Sequence, residues 1–257
     1  MTTTSTITTT LRAAGCVFAD EEAALLVAST SDSRRLAHMV QQRVAGLPLE
    51  HILGWAQFAG MRVSVDPGVF VPRRRTELLA RHASQLTAKG DTILELCCGS
   101  AAVSVAVASA HPDIAVHAVD IDPAATACAR RNLAGSNARI YDGDLYQPLP
   151  HALENAINVL VANAPYVPSG AMELLPPEAR LHEARVALDG GVDGVDIQRR
   201  ILRDAALWLA PGGFILIETS DCLVASTQEL FVSNRMRPHA IHEPELDGTV
   251  VFARIPG

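Results

Sequence analysis

The sequence predicts an α/β protein in which a doubly wound, mostly parallel sheet ends in an antiparallel hairpin and is preceded by a small helical N-terminal domain and a β-hairpin. Three observations predict it. From residue 92 onward short apolar runs alternate with helical patterns, the mark of parallel strands joined by crossover helices. Residues 11–45 carry helical spacing without any strand pattern. Near the end, residues 240–242 and 250–254 flank Asp247-Gly248, a pair suited to a tight turn.

The elements follow in order. Residues 1–10 are mostly threonine and lack the charged and apolar regions of a secretory signal, so they are expected to be a disordered lead-in. Residues 11–45 form the helical domain, with Ala24, Leu25 and Ala28, then Leu36, Met39, Val40 and Val44, on apolar faces. Gly46, Pro48 and Gly54 break it. Residues 57–65 resemble a strand that ends at the turn Asp66-Pro67-Gly68, and residues 69–71 its returning partner. A helix at 76–86 leads into strand 92–96, helix 101–110, strand 115–119, helix 123–134 and strand 138–141. Strand 157–162, helix 195–209, the stop Pro211-Gly212-Gly213, strand 214–217 and helix 224–232 complete the alternation before the final hairpin. Two domains result, 1–72 and 73–257.

Composition sets limits on function. With 257 residues and 49% hydrophobic content the chain can bury a core without disulfide or metal staples. Aromatic residues make up only 4%, so that core is built from Ala, Val, Leu and Ile. A net charge of -7 argues against bulk binding to nucleic-acid backbone, which needs basic surface. Arg73-Arg74-Arg75 is a short basic run, better read as a solvated helix start than as a partner contact. Five cysteines without a C-x-x-C spacing suggest a reducing cytoplasm, and the neighbours Cys97 and Cys98 suggest small-residue packing rather than redox chemistry. His239 and His242 would face opposite sides of a strand, so no metal site is expected there. No apolar run approaches the roughly 18 residues of a membrane span.

Ligands of a doubly wound sheet bind beyond the carboxyl ends of its strands, which directs attention to four loops. Glu95-Leu96-Cys97-Cys98-Gly99-Ser100-Ala101 is a tight strand-to-helix turn whose small residues let the backbone approach a cofactor. Asp120 stands where an acidic residue accepts hydrogen bonds from ribose hydroxyls, while Asp122, just before Pro123, suits a helix N-cap. Asp144 and Leu145 follow the third strand on the side expected for an adenine ring. The fourth loop, Asn163-Ala164-Pro165-Tyr166, carries the sharpest signal. A planar amide or aromatic amine nitrogen is a poor nucleophile because its lone pair is delocalised. The Asn163 oxygen and the carbonyl of Ala164 or Pro165 can accept both of its N–H bonds and turn it toward an electrophile. Pro165 stiffens the backbone, and the Tyr166 ring packs on the planar group.

With these loops in place the chain resembles the HemK/PrmC family of protein glutamine methyltransferases. The resemblance rests on Pro48-Leu49-Glu50-His51-Ile52-Leu53-Gly54, on Pro67 through Arg73, on Thr76-Glu77-Leu78-Leu79, on Asn163-Ala164-Pro165-Tyr166-Val167 and on Glu183-Ala184-Arg185-Val186-Ala187-Leu188. It implies a Rossmann-like sheet that binds S-adenosylmethionine, with Glu95, Cys97, Cys98, Gly99, Ser100, Ala101, Asp120, Asp144, Leu145 and Asn163 around the cofactor and Asn163, Pro165 and Tyr166 as catalytic residues. It also implies that the helical domain recognises the substrate, a peptide release factor whose Gly-Gly-Gln glutamine is methylated in the cytoplasm.

Three departures stand out. The family's Gly-x-Gly-x-Gly turn keeps only Gly99, with Cys97 and Ala101 at the outer positions, and an alanine where positive φ is needed would add strain. Asn-Pro-Pro-Tyr has become Asn-Ala-Pro-Tyr, and Arg74-Arg75 replaces the usual Pro-Glu/Asp. The alternatives are N-methylation of another planar nitrogen, in a small molecule, another protein or a nucleic-acid base, and a non-catalytic binding paralogue.

Overall fold

A computed structural model describes residues 4–257. Helices α1 (Thr4–Ala13), α2 (Ala19–Ser29), α3 (Ser33–Val44) and α4 (Leu49–Leu53) come first. Their shared core is Ile7, Leu11, Ala19, Ala23, Leu26 and Met39. This corrects the expectation of a disordered lead-in at residues 4–10: Ile7 and Leu11 stand four apart on one helix face, and their burial outweighs the weak helix propensity of the threonines. Residues 1–3 of that expectation lie outside the described residues.

The buried face of α2 also differs from the expected one. Ala24, Leu25 and Ala28 face solvent, while Glu22, Ala23 and Leu26 are buried. Glu22 turns inward to meet Arg43 at 2.6 Å, and Arg43 reaches Glu178 at 2.5 Å, which ties the helices to the rest of the chain.

The hairpin forms earlier than the turn residues suggest. Strands β1 (Trp55–Phe58) and β2 (Met61–Ser64) pair antiparallel around Ala59-Gly60, both at positive φ, so residues 57–65 are not one strand. Alanine gives no sign of such a turn. Residues 69–71 are not the returning strand either. They are held by side chains instead: His51 Nε2 bonds the Val69 carbonyl at 2.9 Å, and the Val71 N–H donates to Glu183 at 3.4 Å.

Helix α5 (Glu77–Leu86) leads into the alternating part: β3 (Thr92–Leu96), α6 (Ala102–Ala110), β4 (Ala115–Asp120), α7 (Pro123–Asn132), β5 (Ala138–Asp142), β6 (Ile157–Ala162), α8 (Pro177–His182), α9 (Asp196–Trp208), β7 (Leu209–Thr219), α10 (Val224–Ser233), β8 (His239–Glu243) and β9 (Gly248–Arg254). The sheet order is β5-β4-β3-β6-β7-β9-β8, parallel except for β9, which runs antiparallel to both neighbours. This is the Rossmann-like sheet with a terminal hairpin that the pattern predicts. One boundary moves by more than two residues: Ile157 pairs with Leu209 and Val159 with Phe214, so Pro211-Gly212-Gly213 is a bulge inside β7 rather than a stop before it.

Successive residues of β3 serve opposite cores. Ile93 packs in the cluster with Leu79, Val103 and Val159, whereas Leu94 and Leu96 pack with Leu160, Ile201 and Trp208. The chain reverses direction across the sheet between β3 and β6, and that switch point opens a crevice at their carboxyl ends.

Candidate cofactor and acceptor site

A cavity of about 230 Å³, open to solvent, occupies the crevice. Glu95, Cys97, Cys98, Gly99, Ser100, Asp120, Asp144, Leu145, Asn163 and Pro165 line it. Ala101 and Tyr166 do not. Ala101 is fully buried under the turn, and Ala102 and Val103 reach the cavity in its place. Tyr166 lies behind the wall, with the Arg75 guanidinium 5.8 Å from its ring centroid, and burial pushes its phenol up to about 12.

The turn after β3 adopts a glycine conformation without the glycines. Cys97, Gly99 and Ala101 have φ of 54°, 54° and 60°. A side chain in the left-handed region costs roughly 1 kcal/mol, and Leu145, also on the cavity wall, has φ of 51°. Relief of that strain is measurable. Ala101→Gly should raise Tm by about 2 °C in a thermal melt, since about 0.5 kcal/mol remains after the entropy that glycine adds to the unfolded chain. A lowered Tm would mean that packing of the Ala101 methyl outweighs the strain.

Two carboxylates flank this turn, Glu95 buried and Asp120 half-buried. Asp120 accepts the Gly99 N–H at 2.8 Å and the Asp122 N–H at 2.9 Å, one on each oxygen. Burial raises its pKa and those two N–H groups oppose the rise. Each oxygen keeps a lone pair for a hydroxyl on the cavity side. Asp122 itself caps α7 through Ala124 N–H at 2.9 Å. Glu95 accepts the Ser104 N–H at 2.8 Å, and burial pushes its carboxyl up to about 7. Burial likewise raises the Cys97 and Cys98 thiols, so both are neutral and poor nucleophiles. Asp144 is paired with Arg200 at 2.6 Å, a cavity residue from α9 that no sequence motif marks.

On the other side stands Asn163, first residue after β6. Its Nδ2 donates to Thr76 Oγ1 at 3.2 Å, which leaves its oxygen as an acceptor. Among the described residues no backbone N–H donates to the carbonyls of Ala164 or Pro165. A clasp presses on this loop from outside: Val167 N–H donates to Leu188, Gly190 N–H to Val167 and Ser169 N–H to Gly191. A Cβ at Gly190 would lie 2.7 Å from Tyr166 Cα and 2.8 Å from the Pro165 oxygen. Because the obstructing atoms are backbone, Gly190→Ala should destabilise the fold by about 2–3 kcal/mol and displace the Pro165 carbonyl. Denaturant melts test the first effect. An unchanged midpoint would show that the clasp is looser than its geometry.

The cavity wall is completed by residues to which composition and periodicity assign no role. Phe70, Pro72 and Thr76 come from the segment ahead of α5, and Val186 and Ala187 from the segment after Glu183. Arg73 bridges the two segments through Glu183 at 2.5 Å. The strings that carry the family resemblance were their only signal. Among the described residues no group of three or more His, Cys, Asp or Glu could hold a metal; His239 packs on Phe252 and His242 bonds Thr249.

Comparison with known proteins adds the family. Residues 60–194 match the family described as methyltransferase small domain. The chain is 35% identical over 223 residues, 85% of its length and 79% of the relative's, to a release factor glutamine methyltransferase of Streptomyces coelicolor. It is 39% identical over 197 residues, 76% of its length and 69% of the relative's, to one of Mycolicibacterium smegmatis. A 4-amino-L-phenylalanine/4-methylamino-L-phenylalanine methyltransferase of Streptomyces pristinaespiralis is 35% identical over 228 residues, 86% of this chain and 77% of its own. Among solved structures, a methyltransferase from Pyrococcus furiosus superposes with a TM-score of 0.60 at 18% identity, covering 88% of this chain and all (100%) of that one.

Proposed function

The chain belongs to the methyltransferase small-domain family, among the release factor glutamine methyltransferases, and from that premise we propose that it methylates the Gly-Gly-Gln glutamine of a peptide release factor on its side-chain amide nitrogen. It is an S-adenosylmethionine-dependent N-methyltransferase. A release factor is met in the cytoplasm, so the reaction is proposed to run there; among the described residues no helix is long and apolar enough to cross a membrane.

The cavity suits the cofactor. Its turn bares backbone at Cys97–Ser100, Asp120 offers lone pairs to vicinal hydroxyls, and Ile121 and Leu145 offer apolar surface for a purine. In this reading Glu95, Cys97, Cys98, Gly99 and Ser100 line the methionine end, Asp120 holds the ribose and Asp144 and Leu145 border the adenine, while Ala101 shapes the turn from below. S-adenosylmethionine supplies an electrophilic methyl on its sulfonium. The chain supplies the orientation. Asn163 Oδ1 and the Ala164 or Pro165 carbonyl accept the two amide N–H bonds, keep the nitrogen in line with the methyl and stabilise it as it gains positive character. Tyr166, from behind the wall, stiffens the loop and excludes water.

One observation carries the reading: the Asn163 amide nitrogen is already engaged by Thr76, which turns its oxygen into an acceptor on the cavity wall. The test is to offer the protein and S-adenosylmethionine a release factor and, separately, 4-amino-L-phenylalanine. Methylation of the factor alone is expected. Methylation of the amino acid alone would overturn the proposed substrate.

A further inference from the structure

The reading of Asn163 as the residue that holds the acceptor raises a question of chemistry. A primary amide can present either its oxygen or its NH2 to the cavity, and the two orientations have nearly the same shape. Only the first accepts an N–H from the acceptor. Something must therefore choose.

Behind Asn163 the structure places Thr76 and Glu218. Strand register pairs Ala162 of β6 with Ile217 of β7, so Asn163, just past β6, stands level with Glu218 near the end of β7. Glu218 is 1% exposed, and among the described residues neither of its oxygens meets a partner at hydrogen-bonding geometry. The Arg75 guanidinium is 3.6 Å away, its Nε equally unpartnered. Burial pushes the Glu218 carboxyl up to about 7, while the adjacent Thr76 hydroxyl and Arg75 favour the ion. Thr76 is 4% exposed, accepts from Asn163, and donates to no other oxygen among the described residues. A hydroxyl has a single hydrogen to give, and a carboxylate ion is acceptor-only.

We propose that Thr76 and Glu218 are positioning residues, forming a directional relay in which Asn163 Nδ2 donates to Thr76 and Thr76 donates to Glu218, so that the Asn163 oxygen is held toward the acceptor nitrogen. The relay has one sense. A carboxylate at its far end obliges Thr76 to donate backward, so its lone pair faces Asn163 and only the NH2 can meet it. Arg75, 3.6 Å away, supplies charge that favours the ion against burial, so the relay holds this sense where Glu218 is ionised. This inference rests on the proposed role of Asn163 and adds the groups that act through it.

Two readouts test it, one independent of the methylated substrate. The first is the pair of Asn163 side-chain amide resonances in an 15N-labelled protein, assigned as the pair missing in Asn163→Ala. The second is kcat and KM on a release factor, with S-adenosylmethionine affinity measured alongside to show that each variant is folded. Thr76→Ser should keep the wild-type resonances and kcat within about threefold. Thr76→Val should shift the resonances and lower kcat about 100-fold with KM little changed, the scale of a misoriented contact. Glu218→Gln, whose new NH2 can donate to Thr76 and reverse the relay, should do the same. Valine and glutamine variants with wild-type resonances would overturn the relay, as would a threonine-to-valine loss that serine does not rescue. If the wild type leaves the factor unmodified, the substrate reading fails while the resonances still decide the relay.

Discussion

Replacing Asn163 by alanine should lower methyl transfer by about 1000-fold or more while leaving S-adenosylmethionine affinity within about threefold of wild type. The asymmetry follows from position. Asn163 touches the cavity at the end of β6, with its nitrogen tied to Thr76 and its oxygen unclaimed. An acceptor amide deprived of that oxygen loses a partner that strengthens as positive character builds on nitrogen, so the loss falls on kcat rather than on cofactor binding. Calorimetric titration beside a single-turnover assay separates the two quantities. Parallel loss of both would mean that Asn163 holds the cofactor instead.

Asp120→Ala should do the reverse, weakening S-adenosylmethionine binding by about 100-fold, or close to 3 kcal/mol. Its carboxylate serves two masters in the structure. It fastens the N–H groups of Gly99 and Asp122, and so the shape of the strained turn, while offering its remaining lone pairs to the cavity. Removal strands two backbone donors and leaves the Cys97–Ala101 turn without its anchor. Calorimetry reads the affinity directly. Unaltered binding would show that the turn and the apolar wall suffice to hold the cofactor, and that Asp120 is a structural brace only.

The sheet was legible because both of its signals are local. β3 and β6 are apolar runs bounded by turns, and their limits, residues 92–96 and 157–162, agree with the pattern to the residue. Turn chemistry misled where a residue occupies an unusual conformation. Ala59 at positive φ hid the hairpin turn, and Asp66-Pro67-Gly68 drew it to the wrong place. Tertiary contacts explain the remaining misses. Glu22 faces inward because Arg43 meets it, and residues 4–10 are helical because Ile7 and Leu11 have a neighbouring helix to cover them. Glu22 and Arg43 stand 21 residues apart.

The candidate site divides along the same line. Loops directly after β3, β4, β5 and β6 converge on one cavity, as the strand-end rule requires. Of the groups that arrive from a distance, Arg200 from α9 and Glu218 from β7 left no local mark, while Thr76 and Phe70, from before α5, were marked only by the strings that carry the family resemblance. Gly190 and Gly194 are of the same kind, since the need for them comes in part from the backbone of residues 165 and 166 pressing on them from another part of the chain. The turn after β3 is the opposite case, where the missing glycines announced strain and the structure shows positive φ at both Cys97 and Ala101.

If Asn163 presents a glutamine amide nitrogen to the methyl of S-adenosylmethionine, tandem mass spectrometry of a release factor incubated with this protein will register the transfer. One added methyl is expected on the side-chain nitrogen of the Gly-Gly-Gln glutamine, absent with Asn163→Ala. An unmodified glutamine beside proven cofactor binding, or the same methylation by the alanine variant, would contradict it.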